Sequence, residues 1–440
     1  MDWEPDKLAI VGGKRLSGSI NAAGNKHSMV LAIAAAVATR ASLVLYNVPN
    51  IVETRVLGQL VADLGLEVST APPVLGIRGQ IASSWIDPDR SKSIHGSCYL
   101  LPAILAARGE VSFPGAGGDD LGDFDWGLSR PLRHMFEVME QFGVRWQLDR
   151  DRVVVAKATK LRGTRLDIMR WSSDPTLLNG PRVSGATKTA VLMAAVSDGE
   201  TIIDNPHIQG ATIELLNVVV AMGCEVERDE RRWVICGVRS GGNVRYVLEA
   251  DPVEVIFWQT LAALTGSEFR VSVGERAPLI STLRHELALL DRLGITPTFD
   301  GSTMVTTLPK SPYSGHGLVA QSTGISTDAL PFLVCLMFRA TTPSSAVDLV
   351  WPGRFQYARE LRKLGLDSRL RNDLLSITPS MTRPTAEWLR PADTRSAASC
   401  VLFGLATDGE SRIAGAHHVY RGHDRFLQKL RSVGAEVYPS

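Results

Sequence analysis

One short pattern recurs six times along the chain and constrains the fold more than any other feature. Each copy is the end of an amphipathic helix, a stop of the Leu-Gly type and then a strand, as in "DLGLEV", "AMGCEV" and "SVGAEV". The stops are separated by 78, 80, 71, 71 and 69 residues. They stand at Gly65, Gly143, Gly223, Gly294, Gly365 and Gly434. Glycine at a helix end supplies the left-handed conformation of a C-terminal cap. The recurrence therefore predicts six α/β units, with a positive φ at each stop.

The size of this unit limits how the six copies can be arranged. A repeat of this length is too large for a thin solenoid, and a chain of 440 residues is too long for one compact core. Six units divide naturally into two groups of three, and the third stop places the boundary near residue 245. The alternative is an open sheet of serial Rossmann-like units, but the chain has no G-x-G-x-x-G turn after a strand.

Composition excludes several classes of protein. The net charge is +1, and no run of Lys and Arg interleaves with aromatic residues, so we expect no nucleic-acid partner. No apolar run reaches the roughly 18 residues of a membrane span, and the first residues lack the basic start and apolar core of a signal peptide. We therefore expect a cytoplasmic protein with no membrane partner. The five cysteines are odd in number and widely spaced, which predicts reduced core thiols without a disulfide or a metal site.

The stretch "INAAGNKHSMVLAIAAAVA" combines a helix of small apolar residues with a charged beginning. Lys26 and His27 stand where the apolar run starts. Lysine is almost never fully buried without a partner. Lys26 therefore either reaches water over the first turn or faces an anion at the helix N-terminus, where the helix dipole and free N–H groups also favour negative charge.

The sixfold unit, together with "SGSINAAGNK" near the start, resembles the enolpyruvyl transferases. This family includes UDP-N-acetylglucosamine enolpyruvyl transferase, to which the similarity is greater, and 5-enolpyruvylshikimate-3-phosphate synthase. The resemblance covers essentially the whole chain. It implies a two-domain inside-out α/β barrel of six βαβαββ-type repeats, with internal helices and an active site in the interdomain cleft. One domain would be 25–245, and the other would combine 1–24 with 246–440. The first strand of the chain would thus belong to the C-terminal domain.

The resemblance also implies a reaction. The family transfers the enolpyruvyl group of phosphoenolpyruvate to an acceptor hydroxyl through a tetrahedral ketal and releases phosphate, with no further cofactor and no metal. This chemistry needs cations for a carboxylate and a phosphate, and a base for the hydroxyl. The matching residues expected to be catalytic are Lys26, Arg130, Asp328, Arg395 and Arg421. Arg354 also matches a family arginine, with an open role. Asp328, beside Thr327, could instead be a helix N-cap, and each arginine could be a surface residue.

The loop before Arg130 departs from the family pattern. Gly117 stands where the family has a cysteine, in "FPGAGGDDLGDFDWGLSRP". A carboxyl group could supply the missing acid, and the candidates are Asp119, Asp120 and Asp123. The alternative interpretation of this Gly- and Asp-rich run is a flexible, solvated loop. We expect the loop 114–130 to close over phosphoenolpyruvate.

The residues expected to bind the acceptor differ more from the family pattern than those expected to bind phosphoenolpyruvate. His27, His95 and Tyr99 replace an asparagine, an arginine and a tryptophan of the family. The other residues expected at the acceptor are Pro131, Arg182, Ser184, Gly185 and Lys188. These changes favour an enolpyruvyl transferase of nucleoside-antibiotic biosynthesis with a UMP-type uridine nucleotide as acceptor. Two alternatives remain open, UDP-N-acetylglucosamine as acceptor and an inactive homologue that only binds a nucleotide.

Overall fold

The helices of one set are mostly buried and supply much of the two hydrophobic cores. The computed structural model describes residues 5–119, 131–150 and 153–440. The buried set comprises α1 (Lys26–Thr39), α4 (Leu101–Arg108), α6 (Val183–Ala194), α8 (Pro252–Thr265), α11 (Leu330–Met337) and α13 (Thr394–Leu405). All eight residues of α11 are buried. Because most residues of these helices are buried whatever side of the helix they lie on, the prediction of internal helices is confirmed.

Each helix of the second set ends two residues before one of the six stop glycines, and most of these helices are amphipathic. The set comprises α2 (Val52–Asp63), α5 (Arg133–Gln141), α7 (Gly210–Ala221), α10 (Arg284–Arg292), α12 (Gln356–Lys363) and α15 (Phe426–Ser432). The stop glycines have φ values between 69° and 106°, which confirms the predicted left-handed caps. Shorter helices are α3 (Pro88–Ser93), α9 (Arg276–Thr282) and α14 (His417–Tyr420).

The chain divides into two compact units. The contiguous unit is Gly24–Leu248, and the split unit joins Met1–Ala23 to Glu249–Ser440. Within the contiguous unit, α1 packs against α4, α6 and α7. Within the split unit, α13 packs against α8, α11 and α12.

Three small sheets belong to the contiguous unit, as far as the structure describes it. Their strands are β3 (Ser42–Tyr46), β4 (Glu67–Ala71), β5 (Val74–Arg78), β6 (Glu110–Phe113), β7 (Arg145–Leu148), β8 (Val154–Lys157), β9 (Arg165–Asp167), β10 (Glu200–Asp204), β11 (Glu225–Arg228), β12 (Arg232–Cys236) and β13 (Asn243–Val247). The strand orders are β13-β3-β5-β4, β6-β8-β7 and β11-β12-β10-β9. In the first and third sheets one parallel pair joins two antiparallel pairs, as a repeated α/β unit predicts.

The split unit has three sheets of four strands among its described residues. Their strands are β1 (Lys7–Gly12), β2 (Ser17–Asn21), β14 (Glu268–Ser272), β15 (Thr298–Asp300), β16 (Thr303–Val305), β17 (Gly317–Ala320), β18 (Ser344–Asp348), β19 (Asp367–Arg371), β20 (Leu374–Thr378), β21 (Trp388–Leu389), β22 (Gly409–Ala414) and β23 (Glu436–Pro439). The strand orders are β15-β16-β14-β2, β17-β18-β20-β19 and β21-β22-β1-β23. The expectation that the first strand joins the C-terminal part of the chain is confirmed, because β1 pairs with β22 and β23.

A buried ionic network fixes the start of α8. Glu254 is 6% exposed, and its carboxylate accepts hydrogen bonds from the amide of Ala23 at 3.0 Å and from Nε1 of Trp258 at 3.3 Å. Nζ of Lys429 lies 2.5 Å from Glu254 and 3.0 Å from Asp424. Burial alone would lower the pKa of Lys429, but the two carboxylates raise it above its usual value. The network holds Ala23 at the last position of the first segment of the split unit.

All five cysteines are free thiols, as predicted. Cys98, Cys224, Cys335 and Cys400 are buried, whereas Cys236 is only half-buried and is therefore not a core residue. Among the described residues, no helix has the length and hydropathy needed to cross a membrane.

Candidate active site

Several of the predicted site residues lie at the N-terminal ends of buried helices. In α1 every residue from Ser28 to Thr39 is buried, which leaves Lys26 and His27 partly exposed. In α6 only Ser184 and Gly185 are partly exposed, and in α13 only Arg395. The core therefore surrounds most of each helix, and the partly exposed residues lie in the first turn.

The beginning of α1 has the electrostatic properties of an anion site. Asn25 caps the helix, since its side chain accepts the amide of His27 at 2.9 Å. The first turn has no acidic residue, and Lys26 forms no ion pair with any described residue. The partial positive charge of the helix N-terminus and the ammonium group of Lys26 are thus not neutralised by the described part of this unit.

The beginning of α6 packs against a buried histidine that sequence analysis did not identify. His134 on α5 is 3% exposed, and neither ring nitrogen has a hydrogen-bond partner among the described residues. A Cβ at Gly185 would lie 2.3 Å from Nε2 of His134, so this close approach requires glycine. Burial, and secondarily the charge of Arg182, lowers the pKa of His134 to about 3. The imidazole of His134 is therefore neutral at physiological pH. On α6, Lys188 lies one helical turn after Ser184.

His95 and Tyr99 are held by a buried carboxylate. His95 precedes a 3₁₀ turn, Gly96–Leu100, and Tyr99 lies within it, with the two rings edge to face at 5.8 Å. Oε1 of Glu53, which is 4% exposed, accepts the amide of Gly96 at 2.8 Å. The structure thus brings these two predicted acceptor residues together on a fixed turn.

Asp328 lies between two arginines in the split unit. The guanidinium group of Arg395 contacts its carboxylate, and Nη1 of Arg354 lies 3.9 Å from the same oxygen. Nε of Arg354 is 3.5 Å from Oδ2 of Asp393, whose other oxygen caps α13 by accepting the amide of Ser396 at 2.6 Å. The Asp328 carboxylate thus contacts one guanidinium group and lies near a second.

Asp328 is not the N-cap of the following helix, so that alternative is wrong. The cap of α11 is Ala329, and the amide of Asp328 instead donates to Oγ of Ser326 at 3.2 Å. The hydroxyl of the neighbouring Thr327 donates to Asp348, which also accepts the amides of Val350 and Trp351 at 2.9 Å. The Asp328 carboxylate therefore does not cap α11, and it faces Arg395 and Arg354.

Other predicted residues lie near the ends of elements or outside the described residues. Arg421 is half-buried at the end of α14, and Pro131 is buried just before α5. Arg130, Asp120 and Asp123, with most of the predicted lid, lie outside the described residues. The structure places Lys26 and the predicted acceptor residues in the contiguous unit, and Asp328, Arg354, Arg395 and Arg421 in the split unit.

The described beginning of the Gly-rich segment is packed, not solvated. Asp119 is 6% exposed, and residues 114–116 are buried. The amide of Gly117 donates to the carbonyl of Ile94 at 2.9 Å, and a Cβ at this position would lie only 1.7 Å from the carbonyl oxygen of Lys92. Gly117, which stands where the family has a cysteine, therefore contacts the backbone so closely that a side chain would not fit.

We expect the protein to be insensitive to fosfomycin, which inhibits the cell-wall enzymes that it resembles by alkylating the loop cysteine. Alkylation needs an accessible thiolate, and burial raises the pKa of Cys224 to about 11 and also raises that of Cys335 and Cys400. Cys98 is 0% exposed, and the half-buried Cys236 lies at the end of β12 and not in the segment 114–130. Incubation with fosfomycin and nucleotide should leave turnover unchanged, and mass spectrometry of the intact protein should detect no adduct.

Gly117→Cys provides the matched test of the same contact. Because its Cβ would meet the Lys92 carbonyl, this variant should lose thermal stability rather than gain a fosfomycin-reactive site with normal activity. An adduct on Cys98 in the unchanged protein, accompanied by loss of activity, would contradict the match of Gly117 to the cysteine of the family.

Two further site residues were missed because their roles depend on tertiary contacts. His134 belongs to an amphipathic helix pattern in which nothing marks it as different from a core residue. Asp393 could have been identified from the sequence, because aspartate is a preferred residue at the N-cap of a helix. In the structure it caps α13 by accepting the amide of Ser396. Its ion pair with Arg354 had no signal in the sequence.

Comparison with known proteins identifies the family and the fold. The family model of EPSP synthase (3-phosphoshikimate 1-carboxyvinyltransferase) matches residues 10–430. UDP-N-acetylglucosamine 1-carboxyvinyltransferase of Akkermansia muciniphila is 26% identical, over 98% of both chains. The crystal structure of the enolpyruvyl transferase NikO from Streptomyces tendae is 29% identical, with a TM-score of 0.92 over 99% of this chain and 98% of that one.

A more distant structure supports the fold alone. EPSP synthase from Acinetobacter baumannii is 17% identical, with a TM-score of 0.71 over 99% of this chain and 100% of that one. The match to the family model and the fold shared with NikO confirm the resemblance and the two-domain architecture predicted from the sequence. The chain belongs to the EPSP synthase family, and it is an enolpyruvyl transferase.

Proposed function

We propose that the protein transfers the enolpyruvyl group of phosphoenolpyruvate to a sugar hydroxyl of a uridine nucleotide, in nucleoside-antibiotic biosynthesis. The observation that carries the chemistry is the contact of the Asp328 carboxylate with Arg395 and Arg354. It combines a proton acceptor and cations in one rigid cluster. The cluster needs no cofactor for this reaction, and we expect none.

Each step of the reaction has a candidate residue. Asp328 takes the proton of the acceptor hydroxyl while the oxygen bonds to C2 of phosphoenolpyruvate, and an acid delivers a proton to C3. Loss of a C3 proton and cleavage of the C2–O bond to phosphate then give the enolpyruvyl ether. Asp119, Asp120 and Asp123 are the candidates for the acid.

The anionic groups of the donor need cations, and four are proposed for them. Lys26, Arg130, Arg395 and Arg421 hold the carboxylate and phosphate, the arginines through bidentate contacts that suit both groups. Because Arg395 contacts Asp328 in the free protein, the donor anion has to share this guanidinium with the base.

A UMP-type acceptor is supported by the residues of the contiguous unit. His95 stands where the cell-wall enzymes have an arginine near the diphosphate, and a Glu53-anchored turn fixes its backbone. Pro131, Arg182, Ser184, Gly185 and Lys188 are proposed to surround the nucleotide, with His27 and Tyr99 near the sugar. The high structural similarity to the enolpyruvyl transferase NikO supports the same choice.

A second candidate acceptor is UDP-N-acetylglucosamine, because the curated relatives of 24% to 29% identity carry the name of that carboxyvinyltransferase. An inactive nucleotide-binding homologue is a third alternative, which the cluster at Asp328 argues against.

A measurement of phosphate release distinguishes these three hypotheses. The protein is incubated with phosphoenolpyruvate and either UMP or UDP-N-acetylglucosamine, and inorganic phosphate is followed with time. We expect release with UMP, at a rate at least about tenfold above that with the UDP-sugar, since a site built for one polar group rejects an analogue that leaves its groups unpaired. Faster release with the UDP-sugar would establish the cell-wall reaction instead. Release with neither, although nucleotide binds, would indicate the inactive homologue.

A further inference from the structure

The segment before Asp328 is held by two consecutive residues of α10. Glu286 is 1% exposed, and its Oε1 accepts the amide of Ser326 at 2.7 Å. The preceding residue, His285, is hydrogen-bonded to the backbone of Thr323. The start of α10 therefore fixes two points of the segment 321–328, whose other hydrogen bonds are mostly local turns.

Ser326 transmits this anchoring to Asp328. Its Oγ accepts the amide of Asp328 at 3.2 Å, and its carbonyl oxygen accepts the amides of Ala329 and Leu330 at 3.1 and 3.0 Å. The same residue thus begins α11 and orients the backbone from which the Asp328 side chain projects. A shift at the Ser326 amide would move the Asp328 carboxylate relative to both arginines.

A glutamate is an unusual choice for this buried position. Its second oxygen, Oε2, has no hydrogen-bond partner among the described residues. Burial raises the pKa of Glu286, whereas the Ser326 amide and the charge of Arg284 oppose this rise. An apolar side chain would fill the space but would leave the Ser326 amide without an acceptor, which is costly inside a protein. The feature that the position requires is therefore the acceptor oxygen, not negative charge.

We propose that Glu286 is a positioning residue for Asp328: through the Ser326 amide it holds the Asp328 carboxylate in the orientation that proton transfer requires. This inference rests on the proposed role of Asp328 as the base. Glu286 itself touches neither the substrates nor the reacting atoms in this scheme.

Three variants on one helix test the proposal. Glu286→Met removes the acceptor and nearly keeps the volume, and Glu286→Gln keeps an acceptor oxygen in the same place. Leu290→Ala removes a fully buried side chain from the same helix while Glu286 and its hydrogen bond to the Ser326 amide are kept. With phosphoenolpyruvate and UMP, Glu286→Met should lower kcat by about 10- to 100-fold, the scale of a misplacement of roughly 1 Å, with both KM values changed by less than about 3-fold. Glu286→Gln should keep kcat within about 3-fold of the unchanged enzyme, because its carbonyl oxygen accepts the same amide. Leu290→Ala should lose thermal stability but keep kcat.

A double variant shows whether Glu286 acts through Asp328. In an Asp328→Ala background, Glu286→Met should cause no further loss of kcat, because two residues that act as a unit have non-additive effects. Amide hydrogen exchange of peptides covering 321–330 should be faster in Glu286→Met and unchanged in Glu286→Gln. If Glu286→Met does not fold, Ser326→Ala tests the second link and should lower kcat by about 2- to 10-fold, the scale of one hydrogen bond.

The outcomes separate this inference from the proposed function. A normal kcat in Glu286→Met would overturn the positioning role. A loss of kcat in Glu286→Gln or in Leu290→Ala as large as that in Glu286→Met would overturn it as well. Absence of phosphate release in the unchanged protein would overturn the proposed function, and the exchange measurement would still decide whether Glu286 holds the segment.

Discussion

Replacing Asp328 with alanine should lower turnover by a factor of about 10² or more, the usual contribution of a general base. Nucleotide affinity should stay within a few fold, because a base acts mainly in the transition state. The KM for phosphoenolpyruvate should not rise, since the variant removes the Asp328 carboxylate, which competes with the donor anion for Arg395 and Arg354. Phosphate release and a nucleotide titration measure the two quantities.

Asp300→Ala is the matched control for this change. Asp300 is an exposed aspartate at the end of β15 in the same unit, and it pairs with Arg270 at 2.6 Å. This variant should turn over normally. Retention of more than about a tenth of normal turnover in Asp328→Ala would show that Asp328 is not the base, because even a weak general base contributes more.

Replacing Lys429 with methionine should destabilise the split unit by about 3–5 kcal/mol, the cost of removing one partner from a buried ion pair. Glu254 and Asp424 would then be buried without their shared cation. Because the pKa of Lys429 is raised in the folded state, its contribution is fully present below the unfolded value of about 10.4 and is lost as pH rises through the higher folded value. Urea unfolding at pH 7 and again above pH 11 measures both effects.

The surface pair of Lys14 with Glu436 is the control for the buried one. Both of its side chains are more than 40% exposed, so Lys14→Met should produce no measurable change in the urea midpoint. Equal midpoints for Lys429→Met and the unchanged protein at pH 7 would show that the buried network contributes nothing to stability.

The fold could be predicted from the sequence because its signals are local. A stop glycine acts on the helix that precedes it, and the apolar run of α1 from Met29 to Ala38 marks an internal helix without reference to the rest of the chain. The grouping into two units followed from the number and size of these repeats.

The candidate site was predictable only in part, because its contacts join distant positions. Glu286 and Ser326 are 40 residues apart, and no periodicity marks a glutamate as the acceptor for one amide. His134 beside Gly185 is a similar case, since only the folded structure shows why that glycine has no side chain. The cluster at Asp328 was expected from family resemblance, but its link to Asp393 was not.

The pairing of β1 and β2 with much later strands affects how the chain must fold during synthesis. The contiguous unit is complete once Leu248 has left the ribosome, so it can fold while the rest is still being made. Strand β2 has to wait for Glu268–Ser272, and β1 for Gly409–Ala414 and Glu436–Pro439. Two early strands therefore remain unpaired through most of translation. Unpaired strands can join those of other chains, which makes this interval the time when the nascent protein is most exposed to aggregation and to chaperones.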